Sequence, residues 1–420
     1  MRSKARTFVF YHPEHGPFSM QQLRLGEARY GGSVARLRLL FALARRGHKV
    51  WVAGNVIASE HEGVRGVPAG RLSELDLRAA DPAAVLVLNN WPREDDWIAF
   101  EPRRAPRTPV LLWAGNHFPL VWLDRLRERA IDRIVCVSRY HRDCYRLYRG
   151  FERIEFSYSG IDKDFLAPRR LGSEERVCSI SVPRRSKGID RLLAAWLLVH
   201  ERRPRARLLV SGAAEMHEPQ TRVGKTGILD ADVEAEFPEL FADPPRSLAA
   251  HGVELLGARD SGEVYATLAG ATLAVVNPSH HSAETFCRSA VEAQAAGVPV
   301  VGAPCGALHE VIASGRTGLL YPNDSAEGLA DAISRLLEDP GLLADMGRCG
   351  PAWADWFADY ELIAPDWEAM TERAEADAPA PSEPHPIEDR LRELGYGQMH
   401  TRLRGALSPR LRSMIRQWIQ

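Results

Sequence analysis

Apolar residues are gathered into short runs along the chain, and the segments between these runs carry apolar residues at helical spacing. In the first half the runs predict β-strands at residues 7–11, 50–53, 84–88, 110–113 and 134–137. A helical pattern covers residues 33–46, in which Val34, Leu37 and Leu40 fall on one face. Strands that alternate with helices are typical of a parallel sheet covered by helices on both faces.

The second half of the chain repeats this order. Strands are predicted at residues 177–182, 207–211, 253–256, 272–276 and 298–302, and helices at residues 188–199, 290–296 and 326–337. The predicted fold class is therefore α/β, with two doubly wound, Rossmann-like units that meet near residues 162–171. Because ligands of such sheets bind at the carboxyl ends of the strands, two facing units place a binding site in the cleft between them.

The end of the chain departs from this pattern. Residues 376–386 are rich in Pro, Ala, Glu and Ser and are interpreted as a linker. Residues 387–420 resume helical periodicity, with Leu411, Met414, Ile415 and Trp418 on one face. This tail is predicted to pack on its own domain or on a second copy of the chain, which would make a homo-oligomer. Peripheral contact with a membrane surface is the alternative, because Arg and Trp suit that interface.

Composition narrows the possible functions. The 420 residues carry a formal net charge of −1, so no overall positive field points to nucleic acid. The six cysteines include no C-x-x-C pair and are interpreted as reduced core thiols. No uninterrupted apolar stretch approaches the ~18 residues that span a bilayer, and no apolar signal region follows the basic N-terminus. A cytoplasmic location is therefore expected.

Two carboxylates, Glu284 and Glu292, follow the strand predicted at residues 272–276. A helix is expected to begin just after Glu284. The backbone N–H groups of its first turn, which have no partner within a helix, suit phosphate or sugar oxygens; they belong to Thr285, Phe286 and Cys287. Glu292 lies about two helical turns, or ~12 Å, further along the axis. This spacing favours two ends of one extended ligand over a single acid/base pair.

The segment at residues 277–322 resembles retaining GT-B glycosyltransferases of family 4, the glycosyl transferases of group 1. The family's order is a Pro-Ser loop, a Glu, seven residues, Glu-Ala, Gly-x-Pro-Val-Val, and a glycine-rich loop ending in Glu-Val. Here the order runs Pro278-Ser279, Glu284, Glu292-Ala293, Gly297-Val298-Pro299-Val300-Val301, and Gly306 to Glu310-Val311. This run is long and ordered, and is therefore specific. The whole resemblance covers about residues 7–375 and is stronger in the second half than in the first.

The resemblance implies a cationic clamp on the diphosphate of a nucleotide sugar. Lys187, at a Lys-Gly helix start, matches the family's lysine. The family's arginine, five residues before the lysine, is replaced by Val182, which leaves Arg184 and Arg185 as candidates; Arg184 is favoured. Cations close to a helix N-terminus suit a dianionic leaving group.

Further candidates follow from the same resemblance. Gly31 and Gly32 match a glycine loop through which the backbone approaches the diphosphate or the acceptor closely. His117 follows a first-domain strand and His281 lies in the Pro-Ser loop, two places from which polar side chains reach the sugar. Gly257 lies where family members build the base pocket.

The resemblance also divides the chain into parts. Residues 1–168 are expected to form an N-terminal acceptor-binding domain, and residues 169–352 a C-terminal domain that binds the nucleotide sugar. Residues 353–375, with Trp367, match a closing helix that crosses back to the first domain.

Two short motifs that suggest other chemistry are set aside. Asp230-Ala231-Asp232 has the D-x-D form of metal-dependent glycosyltransferases of another fold, but it follows no strand and is interpreted as a helix start. Gly224-Lys225-Thr226 lacks the upstream glycine of a phosphate loop, because position 219 is Pro. No metal site is expected, and no cofactor besides the nucleotide sugar as co-substrate.

Together the resemblance implies a retaining glycosyltransferase that moves a hexose-type sugar from a nucleoside diphosphate sugar to a hydroxyl acceptor. That acceptor is a polysaccharide, a glycolipid or a small-molecule natural product. Glu284, Lys187 and His117 are the expected catalytic residues, and Glu292 is expected to bind the ribose hydroxyls. Two alternatives stay open. One is another enzyme of this architecture, such as a nucleotide-sugar epimerase or a phosphorylase; the other is a protein that binds a sugar nucleotide without turnover.

Overall fold

A computed structural model of the chain describes residues 4–13, 16–27, 31–77, 81, 84–103, 108–161, 163–170, 172–216, 221–282 and 284–376. The tail predicted at residues 387–420 lies outside the described residues. The same holds for all but the first residue of the linker predicted at residues 376–386.

The first half of the chain forms one eight-stranded sheet. Its strands are β1 Thr7–His12, β2 Lys49–Gly54, β3 Ser59–His61, β4 Val64–Pro68, β5 Val85–Asn89, β6 Val110–Ala114, β7 Arg133–Cys136 and β8 Ile154–Phe156. They lie in the order β3-β4-β2-β1-β5-β6-β7-β8, and every pair is parallel except β3 and β4. Strands β1, β5 and β6 are buried along their whole length, because helices cover both faces of the sheet.

The second half forms a six-stranded parallel sheet. Its strands are β9 Arg176–Ile180, β10 Arg207–Ser211, β11 Val253–Gly257, β12 Leu273–Val276, β13 Val300–Gly302 and β14 Gly318–Leu320. They lie in the order β11-β10-β9-β12-β13-β14. The predicted α/β class with two doubly wound units is therefore confirmed. The residue boundaries proposed for the domains stay predictions.

Helices connect the strands of both sheets. The described α-helices are Met20–Arg24, Gly31–Ala35, Leu39–Arg45, Glu94–Phe100, Val121–Arg127, Arg139–Asp143, Ile189–Arg202, Ala231–Glu236, Pro238–Phe241, Pro244–Ala250, Ser261–Ala269, Arg288–Ala295, Leu308–Val311, Ala326–Glu338, Pro340–Ala358 and Tyr360–Ala376. Short 3-10 helices occur at Arg36–Arg38, Leu72–Glu74, Glu101–Arg103, Phe151–Arg153, Lys163–Phe165, Arg185–Lys187 and Ala214–Met216. None of the described helices is both long enough and apolar enough to span a membrane.

The pattern of apolar residues predicted the strands that are apolar runs well, and the strands that mix polar and apolar residues poorly. Strand β10 has the predicted bounds, and the helix Ala326–Glu338 extends one residue beyond its prediction. The helix predicted over residues 33–46 is interrupted by the 3-10 turn Arg36–Arg38. The strands β3, β4 and β8 had no prediction, because their sequences, Ser-Glu-His, Val-Arg-Gly-Val-Pro and Ile-Glu-Phe, contain no run of apolar residues.

The last described helix, Tyr360–Ala376, packs on the first sheet. Trp367 is fully buried, with its ring centroid 4.7 Å from that of Trp113 in β6 and 5.9 Å from that of Phe10 in β1. Its Nε1 donates a hydrogen bond to Ser157 Oγ at 2.9 Å. The predicted return of the chain to the first domain is therefore confirmed.

Candidate functional site

A cavity of about 280 Å³ lies at the carboxyl ends of β9, β10 and β12. The first half of the chain contributes Gly32 and Ala35 to its lining, and the second half contributes the rest. Among the described residues, the lining brings together five that the sequence singled out: Gly32, Lys187, Glu284, Cys287 and Glu292. The cavity therefore lies where a doubly wound sheet binds its ligands.

A larger cavity, of about 480 Å³, lies next to Thr272 at the amino end of β12. Apolar side chains such as Leu166 and Leu343 contribute most of its surface, and Arg169 lies at its edge. None of the described residues that line it was a predicted site residue. The smaller cavity is the candidate site, because its lining brings together the charged side chains that the sequence singled out, Lys187, Glu284 and Glu292.

Lys187 and Glu284 form an ion pair in this cavity. The Lys187 ammonium donates a hydrogen bond to Glu284 Oε2, with 2.6 Å between the two atoms. Burial alone would raise the pKa of Glu284, but the Lys187 charge and the N–H groups of Cys287 and Phe286 outweigh it and lower that pKa. The Glu284 charge raises the pKa of Lys187 against the opposing effect of burial. Both side chains are therefore charged at neutral pH.

Close backbone packing holds this pair in place. Gly306 has a φ of +56°, and a Cβ at this position would collide with the carbonyl oxygen of Glu284. Ala307 N donates a hydrogen bond to the same oxygen at 2.9 Å. On the lysine side, Gly188 has a φ of +84°, and a Cβ there would lie 2.6 Å from Ser279 N. Only glycine allows both approaches, so the glycines of the motif fix the backbones that carry the ion pair.

Glu292 is paired with an arginine that the sequence analysis did not single out. Arg288 Nε donates to Glu292 Oε1 at 2.7 Å, one helical turn away. Arg288 Nη1 donates to the Gly160 carbonyl oxygen at 2.6 Å and lies 3.4 Å from the Tyr360 hydroxyl. Burial alone would lower the pKa of Arg288, but Tyr360 and Glu292 outweigh it and raise that pKa. The i, i+4 spacing of Arg288 and Glu292 was the available sequence signal.

The helix after Glu284 begins later than expected. It runs from Arg288 to Ala295, so Thr285, Phe286 and Cys287 precede its first turn, and the expectation that their N–H groups form that turn is wrong. The physical reason is the backbone of Cys287, whose φ of +61° cannot continue into a helix. Cys287 N donates to Glu284 Oε1 at 3.3 Å and so orients the carboxylate.

The segment before the helix also contacts the first domain. Thr285 Oγ1 donates to the Gly115 carbonyl oxygen at 2.8 Å, and Ser138 Oγ donates to the Thr285 carbonyl oxygen at 2.5 Å. Phe286 is buried, with its ring centroid 5.9 Å from that of Tyr158. Thr285 and Phe286 therefore join the two domains in this structure.

The glycine-rich loop ends in a second contact between the domains. The Glu310 carboxylate accepts hydrogen bonds from the backbone N–H groups of Arg139 and Tyr140, each at 2.9 Å, and from the Tyr158 hydroxyl at 2.7 Å. Burial and then the Glu310 carboxylate raise the pKa of Tyr158. The motif identified Glu310, but its partners lie about 150 residues or more away in sequence, and no local pattern reveals them.

The two candidate arginines beside Lys187 point away from the cavity. Arg184 Nε donates to the Ala214 carbonyl oxygen at 2.7 Å, and its Nη2 donates to Thr221 Oγ1 at 2.7 Å. Arg185 forms ion pairs with Asp190 at 3.0 Å and with Glu236 at 2.5 Å. Neither residue belongs to the described cavity lining. The structure therefore does not bring Arg184 or Arg185 to Lys187 and Glu284.

Four further candidates also lie outside the described lining of the cavity. His117 Nδ1 lies 3.4 Å from the Tyr145 hydroxyl, and its ring meets that of His141 edge-on at 5.0 Å. His281 Nε2 lies 2.9 Å from Asp324 Oδ2, and two thirds of the histidine side chain is exposed. Gly257 ends β11, and Gly31 begins the helix Gly31–Ala35 that carries Gly32 into the cavity.

The two motifs that were set aside have local partners. Asp230 precedes the helix Ala231–Glu236, as predicted. Glu234 in that helix accepts hydrogen bonds from Lys225 N at 2.5 Å and Thr226 N at 3.1 Å, so a carboxylate of the chain itself binds the N–H groups of the Gly-Lys-Thr segment. Over the described ranges, no group of three His, Cys, Asp or Glu side chains could hold a metal ion.

Comparison with known families and proteins adds to this geometry. Residues 162–353 match the family model described as glycosyl transferases group 1. D-inositol 3-phosphate glycosyltransferase of Kribbella flavida is 29% identical over 217 residues, which are 50% of this chain and 49% of that protein. The same enzyme of Corynebacterium aurimucosum is 33% identical over 154 residues, or 36% of each chain. The matches thus span about half or less of the length of these curated relatives.

Solved structures resemble the chain over a greater length. Sucrose-phosphate synthase from Thermosynechococcus elongatus covers 89% of this chain and 100% of its own, with a TM-score of 0.64 and 18% identity. The Anabaena protein HepE, solved in complex with UDP and glucose, covers 87% of this chain and 99% of its own, with a TM-score of 0.62 and 17% identity. These likenesses establish the GT-B fold.

Proposed function

Because the chain belongs, through residues 162–353, to the glycosyl transferases of group 1 and has the GT-B fold, we propose that it is a retaining glycosyltransferase. In this proposal it moves a hexose-type sugar from a nucleoside diphosphate sugar to a hydroxyl acceptor, without a metal ion. The observation that carries the proposal is the convergence of Lys187, Glu284 and Glu292 on one cavity between the two halves of the chain.

The charges in the cavity fit the parts of such a donor. Lys187 has three N–H donors and uses one on Glu284, so two remain for the diphosphate. Glu284, held by Cys287 N, accepts hydrogen bonds from sugar hydroxyls, and Glu292 accepts them from the ribose. A uridine diphosphate sugar is the first donor to test, because the structural relative HepE was solved with UDP-glucose.

The proposed reaction needs no nucleophile from the protein. The bond from the anomeric carbon to the diphosphate oxygen breaks, a bond from that carbon to the acceptor oxygen forms on the same face, and the acceptor proton passes to the leaving phosphate. Negative charge grows on the diphosphate as its bond breaks, and the fixed Lys187 ammonium stabilises that charge. The fixed side chains of the cavity hold the reactants in one orientation. His117, which contacts Tyr145 and His141 outside the cavity lining, has no role in this step.

The test is turnover with a panel of nucleotide sugars and hydroxyl acceptors, with the anomeric configuration of the product read by NMR. The expected result is an acceptor-dependent release of nucleoside diphosphate, a product with the donor's configuration, and an unchanged rate in the presence of a chelator. An inverted product contradicts retention, and a rate abolished by the chelator contradicts the metal-free mechanism. Epimerised donor without acceptor, turnover that requires inorganic phosphate, or binding without any turnover contradicts the transferase proposal.

A further inference from the structure

A nucleoside diphosphate brings more negative charge into the cavity than Lys187 alone can balance. The Lys187 ammonium is already paired with Glu284 at 2.6 Å. Glu292 adds a second carboxylate to the same lining. A diphosphate bound beside two carboxylates needs a further cation that is fixed in the lining.

Among the described residues, three cations line the cavity: Lys187, Arg259 and Arg288. Arg259 forms an ion pair with Glu263 at 2.7 Å, as Arg288 does with Glu292, but 34% of the Arg259 side chain is exposed, against 14% of that of Arg288. Its neighbour Asp260 also adds a negative charge. Arg184 and Arg185 bond to Ala214 and Thr221, and to Asp190 and Glu236, so their charges are directed elsewhere. Arg288 is therefore the arginine to consider beside Lys187.

The guanidinium of Arg288 is held through two of its three nitrogens. Its Nε bonds to Glu292, and its Nη1 bonds to the carbonyl oxygen of Gly160 and to the Tyr360 hydroxyl. Within the described part of the chain, Nη2 of Arg288 donates no hydrogen bond besides these three from Nε and Nη1. Only 14% of the Arg288 side chain is exposed, and the residue lines the cavity. Nη2 is therefore held in a fixed direction, unlike a donor at the end of a mobile surface side chain.

The contacts of Arg288 also tie it to both halves of the molecule. Gly160 lies after β8 in the segment that leaves the first sheet, and a Cβ at Gly160 would collide with the Tyr360 ring. The Tyr360 hydroxyl in turn donates to the Ala35 carbonyl oxygen at 3.1 Å, and Ala35 lines the cavity from the first half. Arg288 is thus fixed relative to both walls of the cavity before any ligand enters.

We propose that Arg288 is the second phosphate-binding cation of the donor site, and that its Nη2 and the Lys187 ammonium together bind the diphosphate. This inference rests on the proposed function. It assigns to Arg288 the role for which the sequence offered Arg184 and Arg185. Glu292 then does two things: it holds the guanidinium through Nε, and it accepts hydrogen bonds from the ribose.

The experiment compares the binding of uridine, UMP and UDP by calorimetry to the full chain and to its variants, after a screen of UDP, GDP and ADP identifies the base that binds best. If another base is preferred, its nucleoside series replaces the uridine series. Arg288→Gln is expected to weaken diphosphate binding about tenfold to a hundredfold, because a charge-assisted hydrogen bond is lost. The nucleoside, which carries no phosphate, should lose less than about threefold. Arg184→Gln and Arg185→Gln are the matched controls and should bind the diphosphate like the wild type.

The ratio of diphosphate to nucleoside affinity separates this role from a merely positional one. If Arg288 only orients Glu292, Arg288→Gln weakens nucleoside and diphosphate binding equally, as is expected of Glu292→Gln, and the inference is overturned. Arg288→Lys keeps the positive charge and should therefore retain most of the ratio of diphosphate to nucleoside affinity. If the melting curve shows that Arg288→Gln does not fold, Arg288→Lys takes its place in the test. A Lys variant with the ratio of Arg288→Gln would count against the inference.

Failure of the function and failure of the inference give different results. A wild-type chain that binds no nucleoside diphosphate overturns the proposed function, and the inference falls with it. A wild-type chain that binds the diphosphate while Arg288→Gln keeps the full ratio overturns the inference alone. If Arg184→Gln or Arg185→Gln lowers the ratio instead, the phosphate cation is one of the two candidates that the sequence offered.

Discussion

The carboxyl edges of the two sheets face one another, but their polar side chains are used differently. The edge of the second sheet presents Lys187, Glu284 and Glu292 to the cavity. At the edge of the first sheet, Arg36 is buried, and it donates to Asn89 Oδ1 at 2.7 Å and to Asn90 Oδ1 at 2.8 Å.

This difference separates two tasks that the doubly wound fold combines. In the first sheet the buried polar groups bind one another and hold loops such as Gly115, whose N–H donates to Asn90 Oδ1 at 3.0 Å. In the second sheet a charged pair is left at a cavity wall, where a ligand can take over part of its hydrogen bonding. In the account proposed here, the first edge supports the structure and the second edge binds the donor.

The largest effect is expected from Glu284→Gln, which removes the charge that orients Lys187 and replaces one of the two acceptor oxygens with an N–H donor. The transfer rate at saturating donor should fall about a hundredfold to a thousandfold, the range found when one fixed polar group is removed from a reaction centre. The measurement is kcat, with a melting curve to confirm folding. Glu236→Gln is the matched control, because this carboxylate pairs with Arg185 away from the cavity. A Glu284→Gln enzyme with wild-type kcat would remove the distinction between the two edges.

Arg36→Gln tests the other edge. It leaves the Asn89 and Asn90 oxygens and the Trp113 carbonyl oxygen without their guanidinium donor. The free energy of unfolding should fall by about 2–3 kcal/mol, while nucleotide affinity stays near the wild-type value. Urea unfolding and nucleotide titration measure the two quantities. A loss of affinity without a loss of stability would place the first edge in the binding site.

The first domain should also lose stability at low pH through Glu368. Hydrogen bonds from Arg46, and then from His48, outweigh burial and lower the pKa of Glu368 to about 2. The unfolded chain binds a proton at this carboxyl more readily than the folded chain does. The contribution of ionised Glu368 to the free energy of unfolding is therefore fully present above about pH 4.5, and it is lost as the pH falls toward 2.

Glu368→Gln should therefore lower the free energy of unfolding by about 1–2 kcal/mol at neutral pH. The difference in melting temperature between the wild type and the variant should shrink as the pH falls below about 4.5. Melting curves from neutral to acidic pH give that difference. A difference that grows with acidity would contradict the assignment of Glu368 as an ionised partner of Arg46.

The smallest effect is expected from His281→Ala. The side chain is two thirds exposed and pairs with Asp324, so the change in stability should be below ~1 kcal/mol. Because His281 lies outside the described cavity lining, kcat and the donor KM should stay close to wild type. A large rise in donor KM would restore His281 to the sugar pocket.

The sequence allowed much of the fold and part of the site to be predicted, for identifiable reasons. Strands such as β10 and β12 are short apolar runs because both faces of the sheet are covered, so their positions are visible in the pattern. Lys187 and Glu284 were found because each lies in a recognisable motif together with the glycine that allows its close approach. Gly188 follows Lys187 at the helix start, and Gly306 belongs to the same ordered motif as Glu284.

The remaining features depend on contacts between distant residues. Cys287 takes a left-handed backbone, which no propensity of cysteine predicts, in a segment whose neighbour Glu284 packs against Gly306. Arg184 turns toward Ala214, and Arg288 meets Gly160 and Tyr360, only after the chain has folded. The sequence identifies the charged residues, but their local spacing does not predict which of them will face the cavity.

The most direct measurement for the central claim is a crystal structure of the full chain with a bound nucleoside diphosphate. We expect the diphosphate in the cavity, with a phosphate oxygen within about 3 Å of the Lys187 ammonium and the ribose hydroxyls bonded to Glu292. A diphosphate bound at the Arg36 edge of the first sheet, or one bound away from an intact Lys187–Glu284 pair, would contradict the account.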